Sequence, residues 1–179
     1  PDVRVRFLTD MRVFRLDYGE AHVALRAGNG PEEPDNVVQP LTRMKAGLYA
    51  AQSYVNRFGL PASEAEFAGH RFVCTDSEVT RAPFHRWLRA TVHPDQIAYA
   101  ATEPVALEYA VRQGAGMGFM MCFRASEDPD LVEILPSRVE WESPLRIVTH
   151  VDLHRTRKVQ AFLTHLKDAV KEWKFCTEA

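Results

Sequence analysis

The chain is poor in the features that make several function classes easy to assign. Its three cysteines, Cys74, Cys122 and Cys176, are widely spaced. No CxxC pair exists, so neither a zinc ribbon nor a thioredoxin-like dithiol has support. Few thiols in odd number fit a reduced, cytoplasmic setting better than a disulfide framework. No apolar run approaches the roughly 20 residues of a membrane span, and no signal peptide is recognisable. A basic excess is missing too. Lys and Arg total 22 against 24 Asp and Glu, for a net charge of −2. Domains that grip nucleic acid carry a basic face, so this segment is not expected to hold DNA by itself. Neither HExxH spacing nor a GxSxG elbow occurs, and there is no internal repeat or low-complexity stretch. The chain opens at Pro1-Asp2 without an initiator Met and is read as a fragment.

What is there suits an ordinary globular protein. Of 179 residues, 46% are hydrophobic and 26% charged, enough for one domain or two small lobes. Val3-Arg4-Val5-Arg6-Phe7 alternates apolar and charged residues, as a half-buried strand does. Val13, Leu16 and Tyr18 suggest a short helix closed at Gly19. Val23-Ala24-Leu25 predicts a second strand, ended by the turn formers of 27–31. Val37-Val38 and residues 47–50 are further extended pieces. Ser53 is placed to cap a helix running to Gly59, and Ser63-Glu64-Ala65-Glu66 has capping-box spacing.

Strands are predicted at 71–74, 97–100, 117–121, 131–135 and 145–148. Helices are predicted at 83–90, with Phe84, Trp87 and Leu88 on one side, and at 103–113, capped by Thr102 and stopped by Gly114. In the last helix Val159, Phe162, Leu163, Leu166, Val170 and Trp173 fall at three- and four-residue steps. Alternating strands and helices argue for an α/β fold. The final helix needs a sheet to cover, and the early piece has too few elements to stand alone. The chain is therefore expected to leave a first lobe, build a second and return. Such crossings leave a cleft, a common place for small ligands.

Several segments carry a family resemblance. Gly19-Glu20-Ala21-His22-Val23-Ala24-Leu25-Arg26-Ala27-Gly28 resembles the "GEADVALRxG" stretch of LysR-type effector domains. Leu48-Tyr49-Ala50-Ala51 with Tyr54, Gly59-Leu60-Pro61 and Gly69-His70-Arg71-Phe72 resemble the next stretch of those domains. Residues 106–119, with Ala110-Val111, Gly114, Gly116 and Gly118, resemble "AAVAGxGIALLP". Leu131-Val132-Glu133-Ile134-Leu135-Pro136 and Lys158-Val159-Gln160-Ala161-Phe162-Leu163 complete the order. The resemblance implies a two-lobed α/β fold like that of type II periplasmic binding proteins, with two crossing hinge strands. Lobe I would comprise 1–41 and 135–179, and lobe II 42–134. It further implies a small-molecule effector between the lobes, homo-dimers or tetramers, and promoter DNA contacts only through an N-terminal helix-turn-helix missing here. No cofactor and no catalysis are implied. Two departures stand out: His22 replaces the usual Asp, and the family's first strand and the start of its first helix have no counterpart.

Three groups of residues are candidate effector ligands. Thr102-Glu103 opens a helix directly after a strand, and helix N-termini favour anions; the same pattern suits a plain cap. By resemblance Arg26 and Gly28 face the cleft. Arg can clamp a carboxylate through two hydrogen bonds, or simply support the hinge. Thr75, Asp76 and Ser77 end a strand of lobe II, where ligands of open α/β sheets gather; a polar turn has the same composition. The candidates favour a small carboxylate or polar aromatic acid.

Gly114-Ala115-Gly116-Met117-Gly118 follows a helix and precedes a strand, the wrong order for a dinucleotide loop. Residues 150–154 are the enzyme-like signal. Strand alternation would put His150, Asp152 and His154 on one face, and all three are metal-ligand types. The second reading is therefore a metal-dependent hydrolase. A third, a transport-type binding protein, shares the fold but requires an export signal.

Overall fold

The computed structural model describes residues 3–9, 12–29, 33–77 and 82–173. It divides into two compact units. Unit 1 comprises Pro1–Met44 and Ser143–Ala179, and unit 2 comprises Lys45–Glu142. The chain thus passes from one to the other at Met44-Lys45 and returns at Glu142-Ser143.

Unit 1 holds strands β1 (Ala24–Ala27), β2 (Asn36–Met44) and β8 (Ser143–His150) in one antiparallel sheet, ordered β1-β8-β2. The ladder between β2 and β8 runs from Asn36 opposite His150 to Met44 opposite Ser143, with an irregularity between Pro40 and Thr42. Helix α6 (Arg157–Val170) buries Val159, Leu163 and Leu166 with Ile147 of β8. Phe162 and Trp173 pack against the same cluster. These are positions of the predicted apolar stripe.

Unit 2 is a five-stranded sheet ordered β5-β4-β6-β3-β7. Its strands are β3 (Ala46–Ala51), β4 (Phe72–Thr75), β5 (Ile97–Ala101), β6 (Met117–Met121) and β7 (Leu131–Leu135). β4 runs parallel to β5 and β6, whereas β3 is antiparallel to β6 and β7. The central strands are buried on both faces, so they read as unbroken apolar runs. Successive residues go to opposite sides. Phe72, Cys74, Met117 and Phe119 join a core with Tyr54 of α1 (Gln52–Phe58), Phe84 and Leu88 of α2 (Pro83–Thr91), and Trp141. Val73 and Met120 join the core on the other face, with Leu107, Ala110 and Val111 of α3 (Pro104–Arg112). A short helix α4 (Cys122–Ala125) follows β6.

Gly116 lets β6 lie against the segment entering β4. Met117 N–H donates to the Arg71 carbonyl at 2.8 Å, and a Cβ at Gly116 would stand 2.8 Å from that oxygen. Gly114 adopts φ 75°, the left-handed conformation that ends α3.

Several local expectations are corrected. Residues 3–9 form no strand and are exposed. Alternation suits a strand only where another strand pairs its backbone groups, and none does so among the described residues. The first helix is only a turn at 16–19, closed by Gly19 N–H to the Leu16 carbonyl. Helix α1 begins after Ala51, so Ser53 is no cap. The turn at Glu64–Gly69 is a 3₁₀ helix without a Ser63 side-chain cap; the Glu66 carboxylate instead accepts from Ala62 N–H at 2.9 Å.

Candidate functional site

The polar residues ending β4 and β5 are brought together by a single backbone bond. Because the two strands are parallel, with Thr75 opposite Ala101, their C-terminal ends share one edge of the sheet. Asp76 N–H donates to the Ala101 carbonyl at 2.9 Å. The turn Thr75-Asp76-Ser77 therefore lies beside Thr102-Glu103. The Thr75 side chain is buried, and its Oγ1 accepts from Ser77 N–H at 3.2 Å. Asp76, Thr102 and Glu103 are exposed, and Ser77 is half-buried.

Thr102 does not cap the following helix. The N-cap of α3 is Glu103, whose carbonyl accepts from Ala106 N–H at 3.1 Å and whose side chain makes no cap bond. Pro104 at the first helical position displaced the start by one residue relative to the expectation. The Thr102 hydroxyl is therefore not consumed by the helix.

One residue at this edge carries no sequence signal. Arg89, in the last turn of α2, donates from Nη2 to the Thr75 carbonyl at 2.6 Å. One turn earlier, the His85 Nδ1 is buried with no hydrogen-bond partner among the described residues. Burial pushes the His85 imidazole down to about 4, with a smaller contribution from the Arg89 charge. His85 is thus neutral near pH 7. Their i,i+4 spacing is visible in the sequence, but the carbonyl that Arg89 reaches belongs to another element.

In unit 1, Arg26 is half-buried on β1 and donates from Nη2 to the Phe14 carbonyl at 3.1 Å. Its Nη1 lies 3.9 Å from Glu33 Oε2. This Arg holds neighbouring loops in place. Gly28 adopts φ 84° and donates its N–H to the Pro144 carbonyl at 2.9 Å.

Residues 150–154 do not alternate as a strand. β8 ends at His150, and the short helix α5 (Val151–His154) begins at once. His150 Nδ1 accepts from Asp152 N–H at 3.4 Å, a weak cap, while His154 Nδ1 lies 2.9 Å from Thr149 Oγ1. His150 Nδ1 and Asp152 Oδ2 stay 3.4 Å apart, but the helical turn directs His154 to Thr149 instead of to a face shared with them. Among the described residues, no group of three or more His, Cys, Asp or Glu is placed to hold a metal ion.

Cys74 is buried in the core. Cys122 is half-buried, and burial pushes its thiol up, away from the reactive thiolate. Among the described residues no helix is long and apolar enough to cross a membrane.

The family model for the LysR substrate binding domain matches residues 1–171. The chain belongs to that family. The LysR domain is also similar to solved structures at low identity. It aligns with the regulatory domain of CrgA, a LysR-type transcriptional regulator from Neisseria meningitidis, at 20% identity and TM-score 0.67, covering 87% of this chain and 78% of that one. The regulatory domain of AphB from Vibrio vulnificus aligns at 19% identity and TM-score 0.67, covering 93% and 84%. Full-length AphB of Vibrio cholerae aligns at 18% identity and TM-score 0.69; the LysR domain covers 59% of it. No curated protein sequence matches. The fold of the LysR domain is accordingly a mixed α/β one with two sheets, of the periplasmic-binding-protein-like kind.

Proposed function

We propose that this chain is the effector-sensing domain of a LysR-type transcriptional regulator, binding a small metabolite at the C-terminal ends of β4 and β5. The observation that carries this reading is the Asp76-to-Ala101 backbone bond. It gathers Thr75, Asp76, Ser77, Thr102 and Glu103 at one sheet edge, the kind of place where open α/β sheets take ligands. The exposed Thr102 hydroxyl supports it. Arg26 and Gly28 are the candidate contacts in unit 1. The protein acts in the cytoplasm as a homo-dimer or tetramer, reaches promoter DNA through an N-terminal helix-turn-helix, and is not an enzyme. The family match and the slightly acidic charge balance of this segment support that division of labour. A hydrolase built on His150, Asp152 and His154 is not favoured, because His154 turns to Thr149 and the three form no ligand group among the described residues.

The test is native mass spectrometry of the protein with a fractionated metabolite extract, followed by thermal shift with each retained compound. A ligand that binds the native state raises the melting temperature, more so as its concentration exceeds its Kd. Retention of a small molecule whose stabilising shift Thr102→Ala reduces is the expected result. Retention of none, with the fold intact, counts against the reading.

A further inference from the structure

We draw no further inference here: the strongest candidate, the exposed apolar surface patch of Val105 and Tyr109 on the outward side of α3, carries no proposal, because nothing in the structure shows what covers it.

Discussion

The hydroxyl of Tyr54 lies 3.1 Å from Nδ1 of His70, and both residues are buried. The same oxygen accepts the backbone N–H of Arg71 at 2.9 Å. One phenol on α1 therefore pins the segment that enters β4, the strand whose far end carries the candidate site. Burial pushes the Tyr54 hydroxyl up, more than the Arg71 backbone pulls it down, so it stays protonated and can donate as well as accept.

Tyr54→Phe removes this bridge and leaves a part-buried N–H and a buried imidazole nitrogen without it. An unsatisfied buried group costs about 1–3 kcal/mol. Urea denaturation is expected to show a lower midpoint at unchanged slope. A midpoint equal to that of the unsubstituted protein would mean that water replaces the hydroxyl.

Gly116→Ala and Gly69→Ala are expected to move stability in opposite directions. At Gly116 a Cβ meets the Arg71 carbonyl oxygen at 2.8 Å and its carbon at 2.9 Å, so backbone must shift. The cost is about 1–3 kcal/mol. At Gly69 nothing lies within 4 Å and φ is not positive, so a Cβ there restricts chiefly the unfolded chain and stabilises by about 0.4–1 kcal/mol. Thermal unfolding of the pair checks both signs.

His85 makes stability depend on acidity. Its imidazole titrates near 4 in the folded protein and at 6.5 in its ordinary state. Between these values the unfolded chain binds more protons, so stability rises with pH across the window and is lost as pH falls from about 6.5 to 4. The loss from this group is at most about 3 kcal/mol. His85→Phe is expected to flatten that part of the stability profile. A profile with the same slope after substitution would assign the acid sensitivity elsewhere.

Thr102→Ala is expected to weaken effector binding while leaving the fold alone. Removing one hydrogen bond costs about 0.5–1.5 kcal/mol, or about two- to tenfold in affinity. Because Glu103 rather than Thr102 occupies the N-cap, the stability change should stay within about 0.5 kcal/mol, as for other exposed positions. Calorimetry with the retained ligand and a melting curve measure the two separately.

Sequence reasoning reached the elements whose signal is local. The stripe of α6 and the double-sided apolar runs of β4 and β6 are read directly from periodicity, because burial selects residue type position by position. The misreadings arise where a side chain or a partner strand decides. The alternation of Val3 to Phe7 needs a neighbouring strand. The alternation from His150 to His154 gives way because His150 caps a helical turn. Thr75, Asp76, Ser77, Thr102 and Glu103 were legible as strand-end polar residues, and their adjacency follows from parallel pairing. Arg89 was not legible: its partner is a backbone carbonyl on β4, and no spacing within α2 encodes that contact.

The ladder between β2 and β8 has a consequence for how such a protein is assembled as a gene. Met44 and Ser143 face each other as its last pair, so unit 2 enters and leaves through the open end of an antiparallel hairpin. Everything from Lys45 to Glu142 is in effect an oversized loop on that hairpin, encoded as one uninterrupted block. A two-residue Asn-Gly turn suffices to join antiparallel strands. Replacing the block with such a turn would close unit 1 into a continuous chain, and exchanging it for the equivalent block of a relative would transplant the β4–β5 edge without cutting a single strand.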